Sequence, residues 1–148
     1  MLNILILCTG NSCRSQMGEA LLVKLISELD LKGISVYSAG IEKHGLNPRA
    51  MKVLKEINID VSKLSSKLLT EFDSTLLFDL VLTVCSNASE SCPVFSGEAK
   101  IIHHGFEDPP FLTKEMEDEK KVLEIYRGVR NKISCYLKTE FINLLPSK

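Results

Sequence analysis

No stretch of this sequence stays apolar for long. The early run Ile4, Leu5, Ile6, Leu7 is only four residues, and a membrane-spanning helix needs about 20, so no membrane span is expected. There is no lysine/arginine run either: 18 basic residues are offset by 19 acidic ones, for a net charge of −1. A chain so balanced gives no sign of a nucleic-acid surface. It lacks a basic leader with a small-residue cleavage site, so no signal peptide is expected and a cytoplasmic location is. Repeats, low-complexity tracts and linker-like breaks are missing as well, which makes residues 1–148 a single domain by expectation. The five cysteines are an odd number, which argues against a fully paired disulfide framework. Without an export signal they are expected to be reduced thiols, with any disulfide transient.

What is present is an ordinary globular balance, 45% apolar and 25% charged residues over 148 positions, enough to bury a core. Residues 3–8 form a short apolar run that stops at Thr-Gly-Asn-Ser, the pattern of a buried strand ending in a loop. Residues 16–29 read as a helix, with Gly18 in its first turns either weakening it or permitting close packing. A second strand is expected over 34–38. Asn47-Pro48 is an N-cap followed by proline at the first helical position, opening a helix to about residue 57. A short helix over 70–77, strands over 79–84 and 99–103, and a last helix follow. That helix is striped by Val122, Ile125, Val129, Ile133, Tyr136 and Leu144, with Cys135 packed within it. Strands alternating with helices predict an α/β fold: a four-stranded parallel sheet with helices on both faces, a three-layer arrangement. The segments after Cys8, Ser38 and Val84 all follow the carboxyl ends of strands, where ligands bind in open α/β sheets.

The loop after the first strand carries the chemistry. Cys8 and Arg14 are spaced Cys-x5-Arg, with Thr9, Gly10, Asn11, Ser12 and Cys13 between them. Backbone N–H groups of a loop linking a strand to a helix, with the helix N-terminus, cradle a tetrahedral anion. Gly10 is expected to supply the curvature and Asn11 to tolerate a left-handed conformation. Arg14 brings a two-pronged donor for two oxygens of one anion. The same field stabilises a thiolate, so Cys8 is expected well below the free-thiol pKa of ~8.5, within ~3.5–7.5. Ser15 can donate its hydroxyl to the sulfur. Together they put an ionised nucleophile beneath a phosphate-like oxyanion.

Two more thiols and a carboxylate belong at the same edge. If the third strand lies beside the first, Cys85 emerges near Cys8, and Cys92, on a small-residue segment, could attack a bridge between them. Two buried apolar thiols are the simpler alternative. A zinc site of Cys85, Cys92, His103 and His104 is disfavoured, because adjacent strand residues point to opposite faces. No metal is therefore expected. Asp108, in Asp108-Pro109-Pro110, is placed to protonate a departing oxygen, or is a turn aspartate.

These residues give the chain a resemblance to the thioredoxin-coupled arsenate reductases, which share the low-molecular-weight protein tyrosine phosphatase fold. The matching segments are Cys8-Thr-Gly-Asn-Ser-Cys-Arg-Ser-Gln-Met17, Val36-Tyr-Ser-Ala-Gly-Ile-Glu42, His44-Gly-Leu-Asn-Pro48, Leu82-Thr-Val-Cys-Ser86 with Cys92-Pro93, and His104-Gly-Phe-Glu-Asp-Pro109. The resemblance implies reduction of arsenate by a relay of Cys8, Cys85 and Cys92, assisted by Arg14, Ser15 and Asp108. Thioredoxin would be the external electron donor, with no bound cofactor; a monomer is the default expectation, and service in arsenic resistance and in incidental phosphatase chemistry are both open. It also implies a potassium site in many members at positions matching Asn11, Glu19 and Ser38, completed by an aspartate. Here Lys67 stands in that place, and its ammonium is expected to replace the cation by bonding Asn11 and Glu19. Two rival readings remain: a tyrosine phosphatase using only Cys8, Arg14 and Asp108, although such enzymes usually carry proline where this chain has Gln16; and a non-catalytic oxyanion-binding module.

Overall fold

The apolar run near the start forms β1 (Leu2–Leu7), in which Ile4 through Leu7 have no exposed surface. A strand covered on both faces requires such a continuous apolar run. β2 (Ile34–Ala39), β3 (Leu80–Thr83) and β4 (Lys100–His103) complete a sheet of order β2-β1-β3-β4, every pairing parallel. The structure, a computed structural model, describes residues 1–86 and 97–145. The four-stranded parallel sheet expected from the sequence is therefore present. Because β1 lies between β2 and β3, the chain turns to one side after β1 and to the other later. Such a reversal opens a crevice at the strand's carboxyl end.

Helix α1 (Arg14–Glu28) packs on β1 and β2. A Cβ on Gly18 would stand 3.2 and 3.3 Å from the Cγ2 and Cδ1 methyls of Ile6. The residue that costs the helix about 1 kcal/mol of propensity thus lets α1 lie close on β1. Helix α2 (Pro48–Lys55) starts as expected: Asn47 Oδ1 accepts the N–H groups of Arg49 at 2.9 Å and Ala50 at 3.1 Å, satisfying two of the donors a helix start leaves open. The short α3 (Pro109–Thr113) and the long α4 (Glu119–Thr139) follow. On one face of the sheet, Ile4, Ile6, Leu80 and Leu82 join α1, α2 and α4 in the main core. On the other, Leu5, Leu7, Ala39 and Val81 meet Tyr37, Leu69, Phe72 and Phe78.

Four expectations change. The helix over 70–77 is only a 3-10 turn, Leu69–Glu71. Phe72 and Phe78 both reach Tyr37, with ring centroids 5.7 Å apart in each case, and Asp73 Oδ1 accepts the Thr75 N–H at 2.8 Å. That side-chain turn competes with helix formation. Pro109 and Pro110, expected with Asp108 in the loop after the fourth strand, open α3, since prolines fit a first helical turn that has no use for their N–H. The last helix ends at Thr139, and Leu144 belongs to a 3-10 turn (Phe141–Leu144) with 41% of its surface exposed. Cys135 faces solvent instead of packing inside. Among the described residues, no helix is long and apolar enough to cross a membrane.

Candidate active site

Cys8 is the first residue past β1, and its N–H bonds Ala39 O at 3.1 Å. The carbonyls of the following loop are gripped from behind. Thr9 O accepts the N–H groups of Ile41 and Glu42 at 3.0 Å, Gly10 O that of His44 at 3.2 Å, and Ser12 O that of Asn47 at 3.1 Å. Asn11 takes the left-handed conformation, with φ +47°, as its short polar side chain allows. Gly10 does not; its φ is not positive. Its role is spatial instead, because a Cβ would collide with the His44 ring. Gly40 serves the same end, since a Cβ there would stand 2.5 Å from Thr9 O and 2.9 Å from Asn11 N.

Arg14 opens α1 and is 3% exposed. Its Nη1 donates to Phe106 O at 3.0 Å, and its Nη2 lies 3.5 Å from Asp108 Oδ1. Asp108 holds the N-cap position of α3, yet its carboxylate makes no cap hydrogen bond there; it turns to Arg14. The loop from Cys8 to Arg14, with His44, Asn47, Asp108 and Pro110, lines a cleft of about 310 Å³. The predicted anion loop, Arg14 and Asp108 are thus brought together. Ser15, fully buried, lies below the cleft beside Asn11.

Behind the loop runs a polar network. Asn11 Nδ2 donates to Ser15 Oγ at 2.8 Å and to Ser38 Oγ at 3.0 Å, and Ser38 Oγ donates to Glu19 Oε1 at 2.6 Å. Lys67 enters differently from expectation. Its backbone N–H, not its ammonium, bonds Asn11 Oδ1 at 2.7 Å. The ammonium donates to Ser65 O at 2.7 Å and faces Glu19 Oε1 across 3.9 Å, an ion pair without a hydrogen bond. Burial pushes the Glu19 carboxyl above its ordinary range, against the opposing pull of the Ser38 hydrogen bond and the Lys67 charge. A monovalent cation at this place would meet the Lys67 ammonium already there, so this donor set does not fit one.

The cysteines separate. Burial pushes the Cys13 thiol up, Asp108 and Cys8 add to that, and Arg14 opposes it; Cys13 stays protonated and serves as loop backbone. Cys85 is fully buried just past β3, the strand hydrogen-bonded to β1. It is disulfide-bonded, whereas Cys8, Cys13 and Cys135 are free thiols. Cys92 and Pro93 lie outside the described residues. The two histidines are divided: His103 Nδ1 is 2.6 Å from Thr83 Oγ1, while the His104 ring lies 3.9 Å, centroid to centroid, from Tyr136. Among the described residues no group of His, Cys, Asp and Glu could hold a metal ion.

Sequence reasoning assigned no site role to Gln16, His44, Asn47 or Pro110. His44 Nε2 lies 2.8 Å from Glu42 Oε2, and the Glu42/His44 spacing was the available signal. Asn47 was legible only as a cap, although its Nδ2 also bonds the Tyr126 hydroxyl at 3.1 Å.

A parallel sheet that presents a Cys-x5-Arg loop at the end of its central β1, faced by an aspartate, defines a phosphatase-type oxyanion site. Residues 3–139 match the low molecular weight phosphotyrosine protein phosphatase family, and the chain belongs to it. Its similarity extends to particular members. An arsenate reductase of Halalkalibacterium halodurans is 44% identical over 138 residues, 92% of each chain. The arsenate reductase of Bacillus subtilis is 41% identical over 137 residues, 91% of each. Among solved structures, an arsenate reductase in the phosphate binding state matches with a TM-score of 0.73 at 25% identity, over 98% of this chain and 100% of that one. A low molecular weight protein tyrosine phosphatase from T. tengcongensis matches at 0.71, also with 25% identity, over the same shares.

Proposed function

We propose that this chain is a cytoplasmic, monomeric arsenate reductase that moves two electrons from thiols to arsenate through Cys8, Cys85 and Cys92, with thioredoxin as the external donor and no bound cofactor. One observation carries the reading: two buried cysteines leave neighbouring parallel strands at one edge of the sheet, Cys8 a free thiol under the oxyanion cleft and Cys85 already in a disulfide. The loop N–H groups and Arg14 bind the oxyanion. The Cys8 thiolate, accepting the Ser15 hydroxyl hydrogen, attacks arsenic, and Asp108 protonates the oxygen that leaves as water. Cys85, as thiolate, then attacks the Cys8 sulfur. The sulfur–arsenic bond breaks, its electron pair stays on arsenic, and arsenite departs from a Cys8–Cys85 disulfide. Attack by Cys92 on Cys85 returns Cys8 as thiolate and leaves Cys85–Cys92 for thioredoxin's dithiol to reduce.

The test is a coupled assay of arsenate with thioredoxin and its reductase, run on the unaltered chain and on Cys8→Ser, Cys85→Ser and Cys92→Ser. Arsenate-dependent turnover lost in each variant supports the relay; no turnover by the unaltered chain ends it. A weak phosphatase activity is the second reading, favoured by Arg14 and Asp108 lying 3.5 Å apart in the cleft that Cys8 also lines as a thiol outside any disulfide, while Cys85 is oxidised. Hydrolysis needs only those three residues and water.

A further inference from the structure

Gln16 is fully buried and polar, and the mechanism above does not use it. Its Nε2 lies within hydrogen-bond reach of three acceptors: Asn11 O at 3.1 Å, Asn11 Oδ1 at 3.0 Å and Ser65 O at 2.8 Å. Its Oε1, also buried, has no hydrogen-bond partner among the described residues. The orientation of this amide is fixed from outside, because Asn11 O and Ser65 O are backbone carbonyls that can only accept. Reversing it would aim Oε1 at both.

The amide of Asn11 is fixed in turn. Its Oδ1 receives Gln16 Nε2 and the Lys67 backbone N–H, two groups that can only donate. Its Nδ2 therefore faces Ser15 Oγ and Ser38 Oγ and donates to both. A hydroxyl oxygen that accepts from Asn11 keeps its own hydrogen for another partner. Ser38 gives its hydrogen to Glu19, and Ser15 is left free to give its own elsewhere. Were Asn11 turned over, its carbonyl oxygen would face both hydroxyls and take their hydrogens.

From this chain of donors we propose that Gln16 is a positioning residue: it pins the left-handed Asn11 and sets the direction of hydrogen bonding from Asn11 through Ser15 to the Cys8 sulfur, holding Cys8 as a thiolate. The proposal rests on the reading of Cys8 as an ionised nucleophile. A buried Oε1 without a partner is a cost, and it is incurred because the other end of the amide is needed at Asn11. Gln16 also bridges to Ser65 O, the carbonyl that Lys67 Nζ bonds, so the anion loop and the Lys67 segment are held by one residue.

The test measures alkylation of Cys8 by iodoacetamide against pH, followed on the Cys8 peptide by mass spectrometry, in the unaltered chain, Gln16→Met and Gln16→Glu. Methionine keeps length and volume without a donor; glutamate replaces the donor with an acceptor. Arg14, Cys13 and Asp108 line the same cleft and are unaltered in both, so a moved midpoint reports the hydroxyl. The expected result is a midpoint below that of a free thiol in the unaltered chain, raised by about one pH unit in each variant, which is about a tenfold loss of rate at pH values well below both midpoints. A lower melting temperature with an unmoved midpoint makes Gln16 merely structural and overturns the proposal. An ordinary thiol midpoint in the unaltered chain defeats the ionised-Cys8 reading itself, and this proposal with it. If the glutamate variant does not fold, Gln16→Met decides. On the unaltered chain, slow exchange of the Gln16 and Asn11 carboxamide protons by nuclear magnetic resonance is required, and fast exchange of both is a second overturning result.

Discussion

Cys8 and Cys85 leave hydrogen-bonded neighbours at one edge of the sheet: Leu7 pairs with Thr83, and the Val84 N–H bonds Leu7 O at 3.1 Å. Both side chains are buried in the same core. On the proposed relay, Cys85 once reduced attacks Cys8 from this neighbouring strand. Cys85→Ser is therefore expected to abolish thioredoxin-coupled turnover of arsenate while sparing hydrolysis of an aryl phosphate. Cys8→Ser should remove both. Equal loss of the two activities in Cys85→Ser would show Cys85 to be structural.

Gly40→Ala is expected to be among the most damaging single changes to the loop. The added methyl would stand 2.5 Å from Thr9 O and 2.9 Å from both Asn11 N and Glu42 O, all backbone atoms. Unlike the His44 ring beside Gly10, none can rotate away. Overpacking of this kind costs about 3 kcal/mol, and denaturant unfolding should register it. Oxyanion affinity should fall as well, because the atoms displaced belong to the anion loop.

The strand–loop–helix containing Cys8 and Arg14, and the Asn47-Pro48 cap, were legible because each is a local pattern with a local cause. The parallel sheet followed from alternation of strands and helices, whereas β3 beside β1 was only a condition of the reading, met by the observed pairing. What was not legible depends on contacts between distant segments. Gln16 bonds Ser65 across 49 positions, and no spacing announces it. Lys67 was placed correctly beside Glu19, but its use of a backbone N–H on Asn11 depends on how residues 62–68 approach the loop. The segment 70–77 looks helical by propensity and gives way to the ring contacts of Phe72 and Phe78 with Tyr37. Tertiary packing overrides a weak local preference.

Lys67 carries a prediction about salts. Its ammonium occupies the neighbourhood of Glu19 and Ser65, and a potassium ion has no place beside it. Turnover should be the same in sodium and potassium chloride at equal ionic strength. Lys67→Asp should acquire a response to potassium. A strong potassium activation of the unaltered chain would count against the lysine as a stand-in.

Asp108 is directed to Arg14 instead of capping its own helix, and it lines the cleft with the anion loop. Asp108→Asn should lower kcat by about 10²–10⁴, the usual contribution of a general acid. KM should not rise, because Arg14 loses only a competitor of the oxyanion. A raised KM with kcat preserved would make Asp108 a binding residue.

Glu19 supplies the pH prediction. Its carboxyl lies between Ser38 and Lys67, and burial raises its folded-state pKa above the ordinary value of 4.5 despite the Ser38 hydrogen bond and the Lys67 charge. Between the unfolded and folded values the folded chain holds the extra proton, so stability contributed by this group is present below the unfolded value and is lost as pH rises through the folded one. Glu19→Gln cannot ionise, and its amide oxygen can still accept from Ser38. The melting temperature of the variant relative to the unaltered chain should therefore climb as pH increases from about 4 toward neutrality, and then level off. A difference that falls over that interval would mean that the Lys67 attraction outweighs the cost of burying the charge.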